Sequence, residues 1–124
     1  MGAGNKKKAY RWGHVAEWLG VIFLTLKGYS IQERRYKTSV GEIDIIARKQ
    51  NITVFCEVKA RKDYDAAAHS LSEKQKNRIR NAAEIYLSRL KNKNDNNNLK
   101  TEIIRCDMIM IIPWKWPIHI ENAW

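Results

Sequence analysis

Residues 41–61 (GEIDIIARKQNITVFCEVKAR) contain two short runs in which apolar residues recur at every second position. Such alternation is typical of β-strands that bury one face. Gln50 and Asn51 separate the two runs and favour a turn, so the segment predicts a β-hairpin. If the loop has an even length and is centred on this pair, residues at equal distances from it face each other.

This register places Asp44 opposite Glu57 and Glu42 opposite Lys59, with all four side chains on one face of the hairpin. Directly opposed Cβ atoms lie about 5 Å apart. At that separation two carboxylates repel by roughly 3 kcal/mol at an effective dielectric constant of about 20. A protein retains such a pair when both acids are solvated, when they share a proton, or when a cation lies between them.

The spacing alone leaves two interpretations of this acid pair open. A hard divalent cation such as Mg²⁺ binds one or two carboxylates together with water and phosphate oxygens, and Lys59 would lie within reach of a bound phosphate. That arrangement suits phosphodiester hydrolysis. The alternative is a solvated charge ladder neutralised by Lys59 and Arg48, which is the commoner outcome for a charged face.

The charge balance points to an anionic partner. Among 124 residues, 23 Lys and Arg stand against 13 Asp and Glu, a formal net charge of +10. This favours nucleic acid, and an anionic membrane surface only after it, because no predicted helix combines a basic face with an exposed apolar one. The two cysteines and three histidines lack the spacing of a disulfide framework or a zinc site. Without a signal-type or membrane-spanning apolar run, a cytoplasmic location is expected.

The pattern along the chain predicts the order helix, three strands, helix, strand. Residues 1–11 are expected to form a flexible basic arm and residues 12–124 a single domain. A strand before the hairpin most easily extends it as an antiparallel meander, and a helix before the last strand allows a parallel crossover. The predicted fold class is therefore α/β, a mixed sheet flanked by two helices.

The first helix is predicted over about residues 13–27, with Gly28 ending it. Its buried stripe is expected to contain Val15, Leu19, Ile22 and Leu26. Glu17 is the only acid in this helix, and a single acid early in a helix is commonly a favourable partner of the helix dipole.

The second helix is predicted over about residues 72–90, with a capping box from Ser70 and Glu73 or from Ser72 and Gln75. Its first turns are basic, which suits phosphate binding or a solvated surface equally. In the last strand Asp107 is expected to pair with Arg105 or another arginine. Three tryptophans near the end are expected to cover the edge of the core, with base stacking as an alternative; they are Trp114, Trp116 and Trp124.

A set of motifs in this order resembles the YraN family, small bacterial proteins with the restriction-endonuclease-like fold of the PD-(D/E)xK nucleases. The motifs are Ala16-Glu17, Gly28-Tyr29, Arg35, Gly41-Glu42-Ile43-Asp44, Phe55-Cys56-Glu57-Val58-Lys59-Ala60-Arg61, Lys74-Gln75, Arg78, Arg105-Cys106-Asp107 and His119-Ile120-Glu121-Asn122-Ala123-Trp124. The resemblance covers nearly the whole chain apart from the basic arm and the asparagine-rich segment before the last strand.

The resemblance implies an α-β-β-β-α-β order and a metal site for Mg²⁺ or Mn²⁺. Asp44 and Glu57 match the metal-binding acids of the fold, and Lys59 matches its motif lysine. Glu17 corresponds to a helix-1 acid that can complete the metal site in related Holliday-junction resolvases. Gln75 matches a polar position that some members use near the phosphate.

Two functional hypotheses follow. The first is a metal-dependent endonuclease acting on DNA, with branched DNA and a homodimer expected by analogy with the resolvases. The second is a nucleic-acid-binding module that keeps the fold without catalysis. In both, the DNA backbone would contact a basic set consisting of Arg61, Lys74, Gln75, Lys76, Arg78 and Arg80.

Overall fold

The computed structural model describes residues 3–93 and 103–124, with the side chains of residues 12–92 and 103–124. Its helices and strands, in chain order, are α1 (Ala3–Leu26), β1 (Ser30–Lys37), β2 (Glu42–Lys49), β3 (Ile52–Ala60), α2 (Tyr64–Ala68), α3 (Glu73–Lys93), β4 (Ile103–Ile111) and β5 (Ile118–Ile120). α1 begins at Ala3, within the segment expected to be a flexible arm. α2 lies where a loop was expected.

The strands form one five-stranded sheet in the order β1-β2-β3-β4-β5. Neighbours are antiparallel except β3 and β4, which run parallel. The predicted meander and parallel crossover are therefore confirmed, and β4 is an interior strand as its apolar faces indicated. β5 was not predicted, because three residues after Pro117 are too few for a periodic signal.

The hairpin register is the predicted one. Lys49 pairs with Ile52, and the ladder runs back in step to Ile45 and Cys56. Gln50 occupies the left-handed region at φ 54°, as two-residue hairpin loops require. This register places Asp44 and Glu57 next to each other just beyond the last backbone pair.

The sheet carries a helix on each face. On one face Ala16 and Leu24 of α1 pack against the β2, β3 and β4 residues of one core cluster, which are Ile45, Ala47, Val54, Cys56, Ile109 and Ile111. On the other face Ile79, Ala82 and Ala83 of α3 pack against Ile43, Ile46, Phe55, Met108 and Met110. The candidate site, at Asp44 and Glu57, lies at the end of the β2–β3 ladder, between the two helical layers.

α1 presents a different face to the sheet from the one predicted. Val15, Leu19, Ile22 and Leu26 are exposed, and the buried positions are Ala16, Glu17, Gly20 and Leu24. A Cβ at Gly20 would lie 3.1 Å from Val58 Cγ2 and 3.3 Å from Ile45 Cδ1. The small residues let the helix approach the sheet closely, so close packing decides the orientation. The prediction that Val15, Leu19, Ile22 and Leu26 form the buried stripe of this helix was therefore wrong.

The tryptophans near the end of the chain separate into two groups. Trp124 packs against the α3-side core, as predicted. Trp114 and Trp116 are 102% and 82% exposed, so the prediction that they cover the core was wrong. Within the described residues, no helix has the length and apolar content needed to cross a bilayer.

Candidate functional site

The acid pair lies where the β2–β3 ladder ends. The side chains of Asp44 and Glu57 lie close enough to share a hydrogen bond when one of the two carboxyl groups is protonated. Asp44 Oδ2 also accepts a hydrogen bond of 2.9 Å from the backbone N–H of Val58. The predicted juxtaposition of these two acids is therefore present in the structure. Glu42 lies at the start of β2, outside the pairs that β2 makes with β3.

Both carboxyl groups have raised pKa values. Burial raises the pKa of Asp44 to about 6; the nearby charge of Glu17 adds to this, and the Val58 N–H opposes it. Burial and the charge of Asp44 raise the pKa of Glu57 to about 8, with Lys59 opposing. Two acids held this close favour a shared proton or a cation between them, so the solvated charge ladder is the weaker interpretation.

Lys59 is a cation in direct contact with the acid pair. Its Nζ lies 3.5 Å from Glu57 Oε1, and the two side chains are only 11% and 15% exposed. An ammonium group held in such a low-dielectric position interacts strongly with any charge that enters the site. Lys59 thus lies beside the acids and is largely shielded from bulk water.

Glu17 reaches the site from α1 but is held by arginines. Arg35 Nε donates to Glu17 Oε1 at 2.9 Å, and Arg34 Nη2 lies 3.7 Å from the same oxygen. Across residues 3–93 and 103–124, no three Asp, Glu, His or Cys side chains converge closely enough to bind a metal ion. Asp44 and Glu57 therefore form a two-carboxylate site, and Glu17 contributes negative charge beside it.

Arg35 is a site residue whose role the residue pattern did not indicate. It lies on β1 between the pairs Arg34–Ile45 and Tyr36–Ile43, level with Asp44 on the neighbouring strand. Its φ of 51° lies in the left-handed region, which bulky residues rarely adopt and which is common at functional sites. Its guanidinium contacts Glu17 and the His14 ring. His14 precedes Glu17 by one helical turn, and that i, i+3 spacing is the signal that could have identified it.

The acids lie in a cleft that opens toward both helices. On the α1 side it is lined by His14, Glu17 and Arg35 as well as the acid pair. On the α3 side it is lined by Thr38, Gly41, Gln75 and Arg78. Glu42 and Glu57 line both openings. A substrate could therefore approach Glu57 from either layer of the fold.

The predicted basic set divides between the cleft and the outer surface. Gln75 and Arg78 line the α3 side of the cleft. Gln75 also completes the predicted capping box, with bonds of 3.1 Å between its backbone N–H and Ser72 Oγ and between its Oε1 and the Ser72 N–H. Lys74, Arg80 and Arg61 are exposed, and Lys76 pairs with Glu73 at 3.1 Å.

Gly41 brings the loop before β2 against α3. A Cβ at this position would lie 2.6 Å from the carbonyl oxygen of Arg78. We expect Gly41→Ala to lower the free energy of unfolding by about 1–3 kcal/mol, because backbone must move to admit the methyl group. Urea denaturation measures this change.

The matched control for that substitution is Gly13→Ala. A Cβ at Gly13 meets nothing within 4 Å, and alanine is favoured over glycine in a helix by roughly 1 kcal/mol. We expect Gly13→Ala to raise stability. Equal behaviour of the two alanine variants would contradict the close contact between Gly41 and α3.

A second buried polar cluster lies on β4 and β5, away from the cleft. Asp107 is fully buried and accepts hydrogen bonds from Arg105, from His119 Nε2 at 2.7 Å and from the Asn122 N–H at 3.0 Å. Burial alone would raise the pKa of Asp107, but these hydrogen bonds outweigh it and hold the pKa below its ordinary value. The predicted pairing with Arg105 is confirmed, and the cluster attaches the C-terminal segment to the sheet.

Comparison with known proteins identifies close relatives along almost the full chain. The sequence profile of "Uncharacterised protein family UPF0102" matches residues 16–111. The UPF0102 protein mlr4633 of Mesorhizobium japonicum is 45% identical over 121 residues, which cover 98% of this chain and 92% of that protein. A UPF0102 protein of Sinorhizobium medicae is 42% identical, covering 95% and 92%, and one of Parvibaculum lavamentivorans is 41% identical, covering 94% and 83%.

Proposed function

The chain belongs to the uncharacterised protein family UPF0102, and we propose that it is a metal-dependent endonuclease that hydrolyses phosphodiester bonds in DNA. The family-level part of the predicted resemblance is confirmed by this membership. The restriction-endonuclease-like arrangement and the relationship to resolvases belong to the proposal. Its main support is the buried Asp44–Glu57 pair with Lys59 beside it.

The acid pair suits a divalent cation chemically. Mg²⁺ or Mn²⁺ is bound by one or two carboxylates, with the remaining ligands supplied by water and substrate phosphate. Asp44 and Glu57 would hold the ion. Burial raises the pKa of both acids, and the charge of Asp44 raises that of Glu57 further. A cation between them would relieve a repulsion that Lys59 offsets only in part. Glu17 would join them only by exchanging its contact with Arg35.

When bound, the cation would polarise the scissile phosphate and lower the pKa of a water molecule. The side chains supply the rest of the chemistry. Lys59 orients the nucleophile and offsets negative charge that develops on the phosphate. On the α3 side Arg78 and Gln75 are placed to hold the backbone of the bound strand, and the exposed Arg61, Lys74 and Arg80 extend this surface without reading base sequence.

The proposal is tested by cleavage of branched and linear DNA with Mg²⁺ or Mn²⁺, comparing the wild type with Lys59→Met. Methionine is unbranched and only one heavy atom shorter than lysine, and it removes the charge. We expect the cleavage rate to fall about 10²–10³-fold, with DNA affinity changed little because only 11% of the Lys59 side chain is exposed. Lys62→Ala, an exposed lysine outside the cleft, is the matched control and should retain activity.

A second function is favoured by one observation, the exposed basic side chains of Arg61, Lys74, Arg78 and Arg80, which need no metal to bind phosphates. In this alternative the protein binds nucleic acid through its basic surface and does not cleave it. Metal-independent binding that weakens steeply with salt, together with equal residual nicking by the wild type and Lys59→Met, would support the binding module and contradict the nuclease.

A further inference from the structure

The outward side of α1 is apolar over more than three turns. Five large residues point away from the sheet and are between 37% and 77% exposed: Val15, Trp18, Leu19, Ile22 and Leu26. We call these five residues the outer face of α1. Glu17 is the only charged residue between Trp12 and Leu26 and lies on the buried side. Monomeric proteins rarely expose so large a continuous apolar surface.

This surface continues onto the connection between β4 and β5. Leu19 and Trp12 form one wall of a groove whose other wall contains Pro113, Trp114 and Trp116. The two exposed tryptophans therefore extend the outer face of α1 along one flank of the helix. The cleft lies along the opposite flank, where it is lined by His14 and Glu17. The surface has the size and chemistry of an interface between proteins.

We propose that a second copy of this chain covers the outer face of α1, with the two α1 helices packed antiparallel about a two-fold axis. Val15, Leu19, Ile22 and Leu26 follow each other at intervals of four, three and four residues, the spacing of an apolar seam between paired helices. The series reads the same in both directions. An antiparallel pair therefore places Leu19 of one copy against Ile22 of the other, and Val15 against Leu26, as a two-fold interface requires.

The exposed area is sufficient for a stable dimer. A fully exposed tryptophan offers roughly 150–250 Å², and Trp114 and Trp116 are both almost completely exposed. Together with the partly exposed residues of the outer face of α1, they provide on the order of 600–700 Å² of apolar surface per copy. A standard interface buries about 800 Å² per partner, so polar residues at the rim of the interface would need to contribute only a small additional area.

The composition of the surface favours a second copy over nucleic acid. The five residues of the outer face of α1 are all uncharged; the cations beside them are Arg34, which stacks on Trp18 and lies near Glu17, and Lys115 in the groove, whereas Lys74, Arg78 and Arg80 lie on α3 across the sheet. Thr25, the polar residue beside the stripe, satisfies its hydroxyl within the helix by donating to the Val21 carbonyl at 2.8 Å. This inference does not depend on nuclease activity, and the dimer would leave both clefts open.

Sedimentation velocity of the full chain, over roughly 1–200 µM protein, tests the proposal, because apolar interfaces of this size have dissociation constants in the micromolar range or below. We expect a dimer whose affinity stays constant or rises with salt, since each copy carries a net charge of +10 and salt screens their repulsion. Ile22→Lys should weaken association about 100-fold. Val40→Lys, the same kind of change at an exposed valine off the surface, should not.

A cross-linking experiment on a Cys106→Ser background makes the test independent of how well Ile22→Lys folds. When the Leu19→Cys and Ile22→Cys proteins are mixed and oxidised, the disulfide between the two variants should form faster than a disulfide between two copies of either variant. A monomer at every concentration, or a dimer equally stable in Ile22→Lys and Val40→Lys, would overturn the proposal. The proposal would also be overturned if the protein were a monomer whose tryptophan emission shifts to the blue on phosphatidylcholine–phosphatidylglycerol vesicles. That result would assign the surface to a membrane.

Discussion

Asp44→Asn is expected to abolish DNA cleavage and, at the same time, to stabilise the metal-free protein at pH 8. Asparagine is isosteric, can still accept the Val58 N–H, and can donate to Glu57 where Asp44 would repel it. Loss of one of the two carboxylates that we propose hold the metal should lower the cleavage rate by at least about 10³-fold. Loss of the repulsion should raise the free energy of unfolding by about 1–2 kcal/mol.

The stabilisation has a defined pH dependence. Because the pKa of Asp44, about 6, and that of Glu57, about 8, lie above their unfolded values, the folded state binds more protons than the unfolded state. The contribution of these two acids to stability is therefore fully present below about pH 4 and is lost as the pH rises through 6 to 8. The difference between Asp44→Asn and the wild type should grow over this window in chemical denaturation.

Added Mg²⁺ or Mn²⁺ separates the two roles of Asp44. The wild type should regain stability with metal, because a ligand that binds only the folded state stabilises it, and Asp44→Asn should not. Asp65→Asn, the same substitution at an exposed acid in α2, controls for the change in net charge. A wild type that is indifferent to metal, or an Asp44→Asn variant less stable than the wild type at pH 8, would contradict the interpretation of the acid pair.

The largest loss of stability is expected from Asp107→Asn. This side chain is fully buried and neutralises Arg105, whose side chain is only 14% exposed. Removing one partner of a buried ion pair leaves the other charge uncompensated, which lowers stability by about 3–5 kcal/mol. For a domain of this size we expect the midpoint of thermal unfolding to fall by at least about 10 °C.

Glu121→Gln is the matched control, because Glu121 lies 3.6 Å from the same arginine but is 54% exposed. An exposed pair contributes about 0–1 kcal/mol, so this variant should unfold close to the wild type. Similar losses in the two variants would mean that burial does not determine the contribution of Asp107. Because the pKa of Asp107 is lowered, its contribution should also disappear when the pH falls below about 4.

The hairpin and its acids were predictable because local rules determine them. Apolar residues recur at every second position on both sides of an even loop, which favours one register, and the position of Asp44 beside Glu57 follows from it. The layer order was predictable for a similar reason, since a helix between parallel strands has few allowed paths.

The orientation of α1 and the partner of Glu17 were not predictable in this way. Apolar residues surround α1 on nearly every side, so periodicity could not indicate which face is buried; the close contacts of Gly20 with Val58 and Ile45 do. Glu17 contacts Arg35, which adopts a positive φ within a strand, a conformation that the sequence does not signal in a residue of this type.

The parallel pairing of β3 with β4 bears on the order of folding. The β2–β3 hairpin closes a short loop, whereas β4 joins β3 only after α2, α3 and the segment that follows α3 have been traversed. Local contacts generally form first, so the carboxylates of Asp44 and Glu57 would come together early, and their repulsion would slow folding. The Asp107 cluster would form late and act mainly by slowing unfolding. Substitutions at the Asp44–Glu57 pair would then change mainly the folding rate, and substitutions in the Asp107 cluster mainly the unfolding rate.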